Sequence, residues 1–199
     1  MIRNDNMKMA ITPVIWMLLA MFAAPLPADA RSLPNKAAMV QLERGLAAFN
    51  RHDYAVAGLL LKTPAERGNS RAQAILCFLN AYGRGVPQNF RESAIWCRRS
   101  AEQGNAQGQY MLGLLYNSGH GVPEDFVQAY KWLNLAAARA SGLKREFSYR
   151  IRDAVATKMS PAQIAKAQAL AIAWRPKPEW PSPTLMAGRC ADDSKCLDP

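Results

Sequence analysis

Gly83-Arg84-Gly85-Val86-Pro87-Gln88-Asn89-Phe90 returns 36 residues later as Gly119-His120-Gly121-Val122-Pro123-Glu124-Asp125-Phe126. The correspondence extends outward from this loop. Trp96 maps onto Trp132, Leu76 onto Leu112, Leu79 onto Leu115, Gln73 onto Gln109 and Ala101 onto Ala137. Glycine at two fixed places admits positive φ, where a side chain would clash. Val-Pro stiffens the turn, and Asn or Asp is placed to cap the helix that follows. Self-similarity at such a period marks stacked supersecondary units. The offset reaches one unit further back without its loop: Gly104-Asn105 maps to Gly68-Asn69, Phe90 to Tyr54 and Trp96 to Leu60. There Asn50-Arg51-His52-Asp53 replaces the glycine loop.

The expected fold is all-α, a right-handed α/α solenoid of helix-turn-helix repeats with period 36 and a C-terminal capping helix pair. A degenerate N-terminal repeat occupies 31–68, opening near Leu33-Pro34-Asn35, with Pro64 kinking its second helix or ending it early. Full repeats follow at 69–104 and 105–140. Their first helices are expected near Arg71–Tyr82 and Tyr110–Asn117, and their second near Phe90–Gln103 and Phe126–Ala140. The two tryptophan-bearing helices are expected side by side. Residues 141–175 form the capping pair. Its second helix is announced by Ser160-Pro161-Ala162-Gln163, an N-cap, a proline at the first helical position and a glutamine completing a capping box. Residues 176–199 read as a Pro-rich tail with a cysteine pair, docked by Trp180 or loose.

Residues 1–30 have the pattern of an export signal. Arg3 and Lys8 precede an apolar run from Ala10 to Ala24, and Ala28-Asp29-Ala30 fits small-x-small cleavage. The run is short for a membrane span, so membrane contact is expected only through this transient segment. Localisation is then periplasmic or secreted, which makes the four cysteines candidates for disulfides. Three pairings are possible. Cys77 and Cys97 lie nine and eleven residues from the loop centre at Val86, at similar height in an antiparallel pair, and Cys190 with Cys196 encloses a short loop. The favoured set is Cys77–Cys97 and Cys190–Cys196; the competing reading leaves Cys77 and Cys97 as buried thiols. The formal charge of +10 favours acidic partners or surfaces. Its densest region, Arg139, Lys144, Arg145, Arg150, Arg152 and Lys158, has no interleaved stacking aromatics, so nucleic acid is not expected.

The second full repeat resembles the Sel-one-like repeat (SLR) family, relatives of tetratricopeptide repeats, at Leu112-Gly113, Tyr116, Gly119-x-Gly121-Val122, Asp125, Ala129, Trp132 and Ala136-Ala137. The first departs from it at Cys77 and Asn80. The resemblance covers about residues 36–142. It implies an α/α solenoid acting as an adaptor or scaffold for other proteins, often in envelope or signalling complexes.

Solenoid geometry places a binding surface on the concave side, lined by the first helix of each unit. The expected protein-binding groove residues are Gln73, Asn80, Gln109, Tyr116 and Asn117. Gly83, Gly85, Gly119 and Gly121 are expected to be structural loop residues, and Trp96 and Trp132 core. The Arg139–Lys158 region is a second candidate surface. No catalytic set, metal site or cofactor is expected; His52 and His120 have no ligand partners nearby. Ser141-Gly142-Leu143-Lys144 matches the S-x-x-K string of penicillin-binding enzymes, without its companion motifs. The reading is therefore a non-enzymatic exported adaptor, with a periplasmic regulatory subunit as one version. The alternatives are a surface-polymer binder, a structural filler of a larger complex and, last, a hydrolase.

Overall fold

The computed structural model describes residues 36–177. The export segment, Cys190, Cys196 and Trp180 lie outside those residues. Among the described residues eight helices follow one another: α1 (Lys36–Asn50), α2 (Tyr54–Glu66), α3 (Ser70–Tyr82), α4 (Phe90–Glu102), α5 (Ala106–Ser118), α6 (Phe126–Arg139), α7 (Gly142–Ala156) and α8 (Pro161–Ala173). No strand occurs among the described residues. The starts of α3 and α5, and of α4 and α6, are 36 residues apart, and α7 starts 36 after α5.

At the starts of α2 to α6 and of α8 a side-chain oxygen accepts from the free N–H groups. Asn69 accepts from Ala72 N at 2.9 Å, Asn89 from Glu92 N at 3.0 Å, and Asp125 from Gln128 N at 3.0 Å. Asn105 accepts from both Gln107 N and Gly108 N, so α5 begins at Ala106 rather than near Tyr110. Such caps are worth about 1 kcal/mol each. Ser160 and Gln163 form the expected capping box. Pro64 does not stop α2, which runs on to Glu66 with the proline buried in its last turn. There only the closing hydrogen bonds are at stake.

The two glycines of each loop have different jobs. Gly83 (φ 62°) and Gly119 (φ 66°) are left-handed C-caps whose N–H groups bond Leu79 O and Leu115 O. His52 (φ 65°) is the only non-glycine residue with positive φ among those described, and its ring meets Tyr54 edge-on at 5.7 Å. Gly85 and Gly121 also have positive φ, but their second constraint is contact. A Cβ on Gly85 would strike the backbone of Tyr54 and Ala55, and one on Gly121 the backbone of Phe90 and Arg91. Each loop thus rests on the first turn of the second helix one unit earlier.

From α1 to α7 each helix packs on the next, and α3 also packs on α5; α8 packs chiefly on α6, so the expected capping pair is not a hairpin packed on itself. The two tryptophan helices do not pair directly: α5 lies between α4 and α6 and packs on both. Trp96 and Trp132 are buried in one continuous core with Leu61, Leu76, Leu79, Leu112 and Leu115. Alanines at 57, 65, 72, 101, 129, 136 and 137 are fully buried, and their small size lets the helices close. Both α7 and α8 pack on α6.

Cys77 and Cys97 are joined in a disulfide across α3 and α4, with their Cα atoms 5.0 Å apart. In the next repeat the same two places hold Gly113 and Leu133. A Cβ on Gly113 would come within 2.7 Å of Leu133 Cγ. Two sequence solutions therefore fill the same space, one covalent and one apolar.

Replacing Gly121 by Ala should cost at least about 2 kcal/mol more in urea unfolding than Gly142→Ala. Gly142 also has positive φ, but an added Cβ there meets nothing within 4 Å. Equal costs would mean that loop contact does not matter. The double change Cys77→Ala, Cys97→Ala should lose about 3 kcal/mol. Cys77→Gly, Cys97→Leu, which copies the neighbouring repeat, should recover about 1 kcal/mol of that through leucine burial.

Candidate functional site

The first helices of the units, α1, α3, α5 and α7, share a face on which apolar side chains are left partly uncovered. Leu46, Phe49, Asn50, Arg71, Ala74, Ile75, Phe78, Asn105, Gln107 and Lys144 line one cavity of about 310 Å³. Gln107 and Lys144 also line its neighbour of about 130 Å³, with Ala106, Tyr110, Ala140, Phe147 and Ser148. The shared residues make these two parts of a single groove. Two of its lining rings, Phe49 and Phe78, meet edge-on at 5.7 Å, and Phe78 also meets Tyr82, outside the lining, at 4.9 Å. Tyr82 and Phe147 are half-exposed although they sit beside packed helices. Burial, and secondarily the negative charge of an ionised Tyr82, hold the Tyr110 phenol protonated above its usual range.

The expected groove residues fall elsewhere. Gln73 and Gln109 are buried, 1% and 0% exposed. Their amides donate to Ala65 O at 2.9 Å and Ala101 O at 3.2 Å, tying each first helix to the end of the preceding second helix. They cannot meet a partner, and this corrects the sequence reading. Asn80 Nδ2 bonds Leu76 O of its own helix. The Tyr116 hydroxyl accepts from Arg98 at 3.0 Å, and Asn117 Oδ1 accepts from Lys158 at 3.2 Å. None of the five lines the groove. Sequence does not single out its apolar lining, Ile75, Phe78, Tyr110 and Phe147, because apolar residues in an amphipathic helix read as core. A second apolar stripe on the same helices was the signal.

Within the basic region 139–158 several side chains make contacts inside the protein. Arg139 lies over the Trp174 ring at 4.6 Å and Lys158 over Phe126 at 5.0 Å. Arg145 bonds Ala140 O. Arg152 is held by Asp153 and Asn134. Lys144 alone of the six lines the groove. Ser141, exposed, is the N-cap of α7 and makes no cap hydrogen bond.

A second hollow lies on the outer side of α4, between it and the 121–122 loop, lined by Arg91, Ala94, Ile95, Arg98 and Arg99. Two of its arginines are engaged, Arg98 by Tyr116 and Arg99 over Trp96 at 5.0 Å. Beside it, burial lowers the pKa of Lys131, with the Glu102 carboxylate opposing that shift and Lys177 adding to it. His120, exposed, stacks on Phe90 at 4.3 Å.

Comparison with known proteins matches residues 70–105 and 106–141 to the Sel1 repeat. A comparison with curated proteins gives no match. Among solved structures, the chain is similar to a protective antigen present in uropathogenic Escherichia coli strains and displaying an SLR fold. Identity is 26% and the TM-score 0.62, over 81% of this chain and 34% of the other, so the chain spans about a third of that protein. A Sel1 repeat protein from Oxalobacter formigenes shares 34% identity over 49% of this chain and 40% of its own, with a TM-score of 0.46.

The raised Tyr110 phenol has a measurable consequence. The folded state keeps a proton that the unfolded chain releases near the ordinary tyrosine value. Stability therefore falls as pH rises through and beyond that value. Tyr110→Phe lacks this loss, so its unfolding midpoint should decline less than that of the wild type above about pH 10; parallel decline would show that the groove does not desolvate this phenol.

Proposed function

We propose that this chain, which carries two Sel1 repeats of a kind that generally serves as a scaffold for protein interaction, is an exported adaptor holding a segment of another protein in the groove of its first helices. The observation that carries this reading is the groove itself. Phe49, Ile75, Phe78, Tyr110 and Phe147 offer apolar surface along helices whose opposite sides are already packed. Burying such surface is the main driving force of association. A preformed floor lowers the ordering cost that a partner would otherwise impose.

The export part of the reading rests on the buried Cys77–Cys97 bridge, since disulfides persist in oxidising compartments. Among the described residues no helix is long and apolar enough to cross a membrane. A periplasmic regulatory subunit is the version in which the held segment belongs to a membrane receptor.

Two measurements test this. Phe147→Ser changes a half-exposed lining side chain and should leave thermal unfolding within about 1 kcal/mol of wild type. It should weaken capture of a partner segment from a peptide array about tenfold or more, while Leu59→Ser, 75% exposed and outside the groove lining, leaves capture intact. If Leu59→Ser matters and Phe147→Ser does not, the groove reading fails. Acid-trapped protein from cells should also show Cys77 and Cys97 resistant to alkylation until reduced; free thiols would refute export.

A further inference from the structure

Resting on the groove reading above, we propose that the held segment is acidic as well as apolar, its carboxylate side chains gripped at one rim by Arg71 and Lys144. Arg71 stands in the first turn of α3, Gln107 in the first turn of α5 and Lys144 in the first turn of α7. All three line the groove, and none of its lining residues is acidic. The rim thus gathers two cations at the N-terminal ends of three helices.

For their own helices these cations have the wrong sign. A helix N-terminus carries a partial positive charge and is stabilised by acidic side chains, not basic ones. Yet α3, α5 and α7 have no acidic residue in the first turn. Nor is either cation in an ion pair among the described residues, where the pairs are Arg152–Asp153 and Lys177–Glu102. Both side chains are exposed, so packing does not account for them. The rim is therefore a positive edge with no ion pair among the described residues, set beside apolar floor. That combination suits a segment whose apolar side chains enter the floor while neighbouring carboxylates meet the guanidinium and the ammonium. Arg71 and Lys144 come from helices on either side of α5. One terminal carboxylate would serve one of them; acidic side chains along a segment serve both.

The test uses the full chain and three fluorescent peptides with one apolar pattern of phenylalanine and leucine. One is flanked by glutamates and amidated at its C-terminus, one by glutamines with a free C-terminal carboxylate, and one by lysines. The glutamate peptide should bind about tenfold or more tighter than the glutamine peptide, with an advantage that shrinks as salt rises. The double change Arg71→Gln, Lys144→Gln should erase that preference while leaving the circular dichroism spectrum unchanged. Phe147→Ser should weaken all binding. Equal binding of glutamate and glutamine peptides overturns the acidic proposal and leaves the groove reading standing. A glutamine peptide that binds better assigns the rim to a chain terminus and also overturns it. A preference that survives Arg71→Gln, Lys144→Gln traces to overall charge and overturns it too. Absence of binding by all three, or indifference to Phe147→Ser, sinks both readings.

Discussion

The stack depends on how closely a loop can lie against the helix before it. At Gly85 and Gly121 the chain passes so near the first turn of α2 and α4 that a single added carbon would collide with backbone. That approach sets the spacing between successive units, and the packing of α3 on α5 follows from it. The other glycine of each pair, at 83 and 119, reverses the chain; an added Cβ there would meet a single residue, Gln88 or Glu124, at no less than 3.3 Å. One short motif therefore encodes both a turn and an inter-unit distance. This is why it recurs intact while the helices around it vary.

Within each unit the pair of helices must also close, and here the two full repeats differ in chemistry and agree in volume. Gly113 facing Leu133 and Cys77 bridged to Cys97 fill the same position between a first and a second helix. Ser93, which stands where Ala129 stands, adds a bond to Cys77 O at 2.8 Å. The departure from the repeat pattern at Cys77 is thus compensated by its partner. It concerns how the core is held, and it leaves the groove face of α3 unchanged.

Much of this was legible from residues. The loop, the Asn and Asp caps, the capping box at Ser160 and the Cys77–Cys97 pairing all depend on local spacing, and all stand in the structure. The groove was not, because side-chain polarity misleads in a solenoid. Gln73 and Gln109 look like surface residues, but each reaches the open carbonyl end of the preceding second helix. Their recurrence at the repeat offset was the clue: two glutamines kept in register share a structural duty. Conversely, the apolar residues of a first helix outnumber those its partner can cover, and a one-dimensional pattern does not tell which stripe stays open.

The end of the stack departs from the repeat for a physical reason. In the first full repeat Gln73 Oε1 accepts from Gln103 at 2.8 Å. The residue in Gln103's place one unit later is Arg139, which lies over Trp174, and Gln109 Oε1 is left buried without a donor. Such an orphan costs about 1–3 kcal/mol. What offsets it is the closure that Trp174 makes: its ring packs edge-on against Trp132 at 6.1 Å, and Lys177 N then bonds Glu102 O at 2.9 Å. The chain after α8 thus returns across the second helices and seals their side. Meanwhile α7 stands in the series of first helices and extends the groove. Among the described residues this closure falls on the side of the second helices, while α7 lines the groove, so the same terminal segment completes the core on one face and extends the groove on the other.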